Sequence, residues 1–334
     1  MSISLPGRSN ATIDALLRIA ARAHPEVEMS PERTRLNDLD ALADHYAARW
    51  RETEARFGAS AVLVAAPTAQ SFAAMVGALR AGLALSLAPP EIADGELDAA
   101  IVAANALALA GPAHYAGIPV GELLCRVAAD QELISLVATH GGKMSGVLEL
   151  DGARESETVY QARSAFAQIR IFRGGESLFA RFDEHELIDA AGAIASRARI
   201  GAGETILTTL SCASAAGLAA GPLAALVGGA RLMFHAPFDA RGFLAAVEEA
   251  APVHLVIPEA LASTLHAAGA LSEAQIASLI LSGGGASTAA AFADTLGGAP
   301  VLNVHAPFWG GVKVEATTAA APAGALDGKG GRAA

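Results

Sequence analysis

The sequence predicts an α/β protein of layered, open, parallel-type sheets with flanking helices. Three observations carry that expectation. Residues 61–87 read as strand, helix, strand, the crossover unit of a parallel sheet. Residues 205–304 repeat the alternation several times. The chain also has 334 residues, 53% of them hydrophobic and only 17% charged, enough to bury a large core.

The elements follow in order. Ala11–Arg22 places Ile13, Leu16, Leu17 and Ile19 near one helical face. Asn37 or Asp38 is the expected cap of a helix running through Leu39, Leu42, Ala43, Tyr46 and Trp50. Ala61–Ala66 is an apolar run of strand length, and Pro67-Thr68 opens a turn. Ser71–Ala81 is helical and stops at Gly82; Leu83–Leu87 is a strand stopped by Pro89-Pro90. Glu91–Ala110 reads as helix with a short strand near Leu107, and Gly111–Pro119 as loop. Gly121–Thr139 is one interrupted helix or two short elements. His140–Gly146 is a turn before Val147–Leu150, and Asp151–Glu157 is polar and exposed.

In the second half, Ala167–Phe172 is a strand and Glu184–Arg197 a helix. Thr205–Leu210, Ala230–Phe234, Val253–Ile257, Ser278–Ser282 and Val301–Val304 read as strands. Helices are expected over Gly217–Val227, Ala240–Ala250, from Pro258 through Leu265, and over Thr288–Leu296. The organisation expected is a helix and linker over 1–30, one α/β subdomain over 31–160 and a second over 161–316. An Ala/Gly/Pro-rich tail over 317–334 is expected to be mobile.

Charge and cysteines narrow the function classes. The net charge is -11, with no basic block, which argues against nucleic-acid binding. Cys125 and Cys212 are far apart and form no metal-type or disulfide spacing, so reduced thiols in a cytoplasmic protein are expected. The low-charge stretch Gly192–Ala236 is broken by Arg197, Arg199, Glu204 and Pro222, and reads as buried core rather than a membrane span. The nine histidines show no zinc spacing. His235 and His305 each precede Ala-Pro-Phe after a strand, an echo that is either a shared site or coincidence.

Several pieces, in order, carry a family resemblance. They are Pro67-Thr-Ala69, Leu79-Arg-Ala-Gly82 and Leu87-Ala-Pro-Pro90, then Leu223–Leu232, Val253–Pro258 and Leu279-Ile-Leu-Ser-Gly-Gly-Gly-Ala286. From Leu36 to Lys313 the chain resembles the large N-terminal domain of the AMP-forming acyl-adenylate synthetases: acyl-CoA synthetases, luciferases and peptide-synthetase adenylation domains. The chain is shorter than such two-domain enzymes, and the resemblance implies that their small C-terminal domain falls outside it.

The same resemblance marks where the chemistry should lie. The family's hydroxyl-rich phosphate loop, with its Lys, corresponds to Arg173–Asp183. Here Gly174 and Gly175 can still turn, and Arg173, Ser177 and Arg181 could meet an anion. Glu176 and Asp183 add negative charge, however, and no Lys is present. The family's Pro-x-x-His stretch falls on Ser211 and Ser214, which with Gly217 would leave a small-residue acyl pocket. Cys212 has no sequence neighbour that would activate it. Gly283, Gly284 and Gly285 would let backbone approach an adenine- or pantetheine-sized ligand, or serve as a plain tight turn. His305 falls where the family has an adenine-stacking Tyr, Phe308 where Thr meets phosphate, and Trp309 where Glu holds magnesium. Neither Phe308 nor Trp309 can do that work. Both could plug the former pocket or anchor a partner.

The reading that results is a catalytically inactive relative, needing no cofactor or metal. It would act as a protein-binding or accessory subunit, or as a homo-oligomer, in acyl or polyketide-type metabolism. The alternatives are a binder of an acyl, acyl-CoA or nucleotide ligand, and a divergent acyl-activating enzyme.

Overall fold

The computed structural model describes residues 12–30, 33–53, 58–152, 168–173, 179–272, 275–283, 286–306 and 311–317. The chain opens with α1 (Ile13–Ala23), capped by the Thr12 hydroxyl, then two short strands, β1 (Glu28–Ser30) and β2 (Thr34–Arg35). Next come α2 (Leu36–Arg51), β3 (Ser60–Val64), α3 (Ala69–Ala81), β4 (Ala84–Ala88), α4 (Asp94–Ala104) and β5 (Ala108–Pro112). After α5 (Val120–Ala129) follow β6 (Leu136–His140), β7 (Leu148–Glu149), β8 (Gln168–Phe172) and β9 (Phe179–Asp183). Then α6 (Glu184–Ala198) leads into β10 (Thr205–Thr208). Two short helices, α7 (Ala215–Leu218) and α8 (Ala224–Gly228), flank a π turn over Ala219–Leu223 that contains Pro222. Last are β11 (Arg231–Phe234), α9 (Ala240–Ala250), β12 (Val253–Pro258), α10 (Glu259–Ala267), β13 (Ile276–Ser282), α11 (Ala286–Thr295), β14 (Val301–His305) and β15 (Lys313–Thr317).

The strands form two sheets. The first has the order β15-β14-β13-β12-β10-β11-β1-β2, and the second β7-β6-β5-β3-β4-β8-β9. Pairing is parallel except at β14/β15, β1/β2 and β8/β9, so the sheets are mixed. The sheets do not divide at one point along the chain. β1 and β2 cross to the first sheet, and β8 and β9 complete the second after residue 160.

Three apolar clusters show the layering. The largest joins α1, α2, α3, α6 and the α7–α8 run to one face of each sheet, through residues such as Leu63, Leu85, Ile206 and Ile280. The other face of the first sheet, with Leu255 and Leu279, packs on α9, α10 and α11. The other face of the second, with Val62 and Val64, packs on α4 and α5. Neighbours in a strand alternate between clusters, as a pleat with period two requires. Strands covered on both faces read as continuous apolar runs.

Several local expectations are corrected. The α2 cap is Arg35, with no side-chain cap bond, rather than Asn37 or Asp38. The Glu91 segment is helical only to Ala104, where Asn105 turns left-handed, and β5 then runs to Pro112. Gly111 therefore belongs to a strand, not a loop. The Gly121–Thr139 segment contains most of α5 and part of β6. The sequence leads to no expected strand at β1, β2, β6, β9 or β15. Among the described residues no helix is long and apolar enough to cross a membrane.

Candidate functional site

Parallel strands place their carboxyl ends on one edge, where open α/β sheets bind ligands. Here both sheets contribute. Arg173 follows β8, Gly283 follows β13, His305 ends β14, and Ser214 starts α7 after β10. These four residues, with Ser282 and Ala306, line one cleft of about 480 Å³. The Arg173 guanidinium donates to the Ala306 carbonyl, bridging the second sheet to the first. Gly283 has φ +77°, and a Cβ there would meet nothing within 4 Å. Glycine serves the backbone conformation at that point, not the space. His305 is half-buried, with Nε2 3.8 Å from a Glu315 carboxylate oxygen.

Ser211 and Gly217 are not among the described residues lining that cleft. The Ser211 hydroxyl donates to Ala65 O at 2.8 Å and accepts from Ala213 N at 3.0 Å. The Ser214 hydroxyl accepts from Gly217 N at 3.0 Å and donates to Ser211 O at 3.1 Å. Both hydroxyls are thus engaged in the turn that starts α7. A Cβ on Gly217 would lie 2.3 Å from Ser211 O, so this glycine permits a close backbone approach. Cys212 is buried, and burial pushes its thiol up to about 12. It stays protonated and is no nucleophile at neutral pH.

The strand-to-helix loop expected over 173–183 is shorter than the sequence suggested. Phe172 pairs with Phe179 and Gln168 with Asp183 in an antiparallel hairpin, β8–β9. Gly174, Gly175, Glu176 and Ser177 lie outside the described residues, as do Gly284, Gly285, Phe308, Trp309 and the tail from 318. Asp183 is the N-cap of α6, and Glu186 returns to the Asp183 N–H at 3.3 Å. Asp183, His185 and Glu186 hold their donor atoms within 4.8 Å of one another. The Glu186 carboxylate is engaged in that return bond to the Asp183 N–H.

His235 and His305 do not share a site. β13, β12 and β10 lie between their strands β14 and β11. Four strand spacings separate the strands by about 19 Å. His235 instead packs edge-on against Phe238 and Phe243.

A magnesium-bound triphosphate calls for carboxylate oxygens and cations aimed at phosphate. The described cleft residues supply guanidinium, imidazole, hydroxyl and backbone groups, and no carboxylate. That donor set does not fit magnesium.

No protein-family model matches the chain. No curated protein matches it either. Solved structures do. The apo structure of MbtA from Mycobacterium smegmatis superposes with TM-score 0.75 at 22% identity, over 93% of this chain and 59% of MbtA. A putative long-chain-fatty-acid CoA ligase from Rhodopseudomonas palustris gives 0.74 at 15%, over 92% of this chain and 79% of the ligase. Apo MatB from the same organism gives 0.74 at 15%, over 94% and 62%. At these identities the likeness is one of fold. The chain has the large-domain fold of adenylate-forming enzymes and spans 59% of the length of MbtA.

Proposed function

We propose that this chain is a non-adenylating protein of that fold, acting as a protein-binding or accessory subunit in acyl or polyketide-type metabolism. The observation that carries the reading is the composition of the cleft. Its described cation, Arg173, is bonded to the Ala306 carbonyl, and no described lining residue is a carboxylate. By the resemblance, Phe308 and Trp309 fall where the adenylating enzymes meet phosphate and magnesium. Catalysis of adenylation rests on placed charges, and their loss costs orders of magnitude in rate. Pyrophosphate exchange across fatty, aromatic and amino acids is expected to stay at background. Robust substrate-dependent exchange would overturn the reading. For the accessory role, Trp309→Ala is expected to abolish partner binding or self-association with the melting temperature unchanged. A large stability loss with association intact would assign Trp309 to the core instead.

A second reading is a binder of an acyl, acyl-CoA or nucleotide ligand. It is favoured by the cleft's size and its mixed lining of Arg173, Ser214, Gly283 and His305. Calorimetry with acyl-CoA and with ATP, each with and without magnesium, separates the two readings. Low-micromolar acyl-CoA binding would favour the second.

A further inference from the structure

The opposite edge of the first sheet holds a separate recess. It lies at the amino-terminal ends of β12, β13 and β14. Two adjoining grooves of about 410 and 280 Å³ share Arg199, Gly298, Ala299 and Pro300. No residue of the carboxyl-edge cleft takes part.

Its floor is polar where the strands are otherwise apolar. His254 is 1% exposed and is in register with Ser278 on the neighbouring strand. His254 Nδ1 lies 2.8 Å from Ser278 Oγ, and Nε2 lies 3.1 Å from Glu204 Oε2. Both contacts are hydrogen bonds when Ser278 donates to Nδ1 and Nε2–H donates to the carboxylate. Glu204 Oε2 also accepts from the Gly201 N–H at 2.5 Å. The carboxylate, with its side chain 42% exposed, is therefore pinned from two sides at the groove. A buried polar pair in a sheet interior costs stability that an apolar pair would not, and such exceptions mark functional places.

The wall carries the opposite charge. Arg199 ends α6 in the left-handed conformation, φ 62° and ψ 35°. The other left-handed C-caps of the described helices are Gly82, Asn105 and Gly229, residue types that tolerate it. Arginine there is strained relative to glycine. Arg199 is exposed and lines both grooves, so it brings a positive charge to the recess. Arg197 lines the adjoining groove and donates to the Val314 carbonyl.

A fixed carboxylate and a guanidinium on one small recess, with Ala299 and Pro300 between the two grooves, fit a ligand bearing both charges. We propose that this recess binds a small zwitterion of the α-amino-acid type. Its ammonium meets Glu204, its carboxylate meets Arg199, and its apolar body lies along Ala299 and Pro300. His254 and Ser278 are positioning residues that hold Glu204 in place.

The test uses the full chain with carbon-13-labelled histidine. The His254 imidazole signal is assigned by its loss in His254→Gln. The probes are glycine, leucine and phenylalanine, with 4-methylpentanoate as the carboxylate-only and 3-methylbutylamine as the amine-only control. At least one amino acid is expected to shift the His254 signal saturably, with both single-charge controls at least about tenfold weaker. Arg199→Gly suits the left-handed backbone and should fold at least as well. It is expected to weaken amino-acid binding about tenfold, as is Glu204→Gln, because each removes one charge partner. Arg173→Ala, in the other cleft, should leave it unchanged. The proposal is overturned if none of the three amino acids gives a saturable shift. It is equally overturned if a single-charge control binds as tightly, or if Arg199→Gly binds like the parent.

Discussion

The Ser211 hydroxyl donates to the carbonyl of Ala65 at 2.8 Å, joining the loop after β10 in one sheet to the end of β3 in the other. The same oxygen accepts from the Ala213 N–H, so one side chain both stitches the sheets and shapes the α7 turn.

Ser211→Ala removes both bonds and leaves a carbonyl and an N–H to find new partners. A loss of about 1–3 kcal/mol in urea unfolding is expected, with the m-value unchanged. A variant as stable as the parent would show that water replaces the hydroxyl.

Arg80 predicts a larger effect. Its side chain is fully buried, with Nε 2.5 Å from Asp14 and Nη1 3.2 Å from Asp44, and it also pairs with Asp40. It donates to the Asp40 carbonyl at 2.7 Å as well. Helices α1, α2 and α3 meet on this one guanidinium. Arg80→Met keeps the apolar stem but leaves three carboxylates with less compensation. Because those carboxylates are partly exposed, the expected loss is about 2–4 kcal/mol, below that of a fully enclosed pair. Arg80→Lys should recover little, since it lacks the planar fork. Denaturant midpoints for the two variants check both statements.

The pH dependence should carry a signature of His140. It is buried, with Nε2 3.2 Å from Ser71 Oγ and its ring 6.2 Å from that of Tyr46. Burial lowers its pKa to about 4, against the opposing pull of Asp151. The unfolded chain binds the proton near 6.5, so between the two values the unfolded state holds a proton that the folded state refuses. The contribution is whole above the unfolded value and is lost as pH falls toward the folded one. His140→Gln has no such proton. Its stability relative to the parent is therefore expected to rise by roughly 3 kcal/mol as pH falls through that window. A constant difference between the two proteins would place the acid sensitivity elsewhere.

The crossover strands were legible because strands buried on both faces spell unbroken apolar runs between glycines and prolines. Val62–Val64, Leu255–Ile257 and Leu279–Leu281 are of this kind. The edge strands were not. β9 reads Phe-Ala-Arg-Phe-Asp, and β15 reads Lys-Val-Glu-Ala-Thr; each is short and carries charge, as exposed edges tend to. Arg173, Gly283 and His305 could be placed at strand ends from sequence, and parallel sheets bring such ends to one edge. Gly217 could not be placed, because its closeness to Ser211 O comes from how a turn folds back. The recess joins Arg199 at the end of α6, Glu204 just before β10 and His254 in β12, with no spacing to announce it. Only the register that sets His254 beside Ser278 reveals that the strand interior is polar there.

The way β1 enters the first sheet ties the integrity of the molecule to its first segment. Met29 and Ser30 pair with Leu232 and Met233, so this short ribbon covers what would otherwise be the open flank of β11. Just ahead of it, Asp14 on α1 serves the Arg80 cluster. A protease cut or a deletion ahead of Leu36 would therefore do two things at once. It would bare a row of unpaired backbone groups beside an apolar strand and withdraw a counter-ion from the interior. The product would be a sticky template for strand-to-strand polymerisation rather than a slightly shorter version of the same protein.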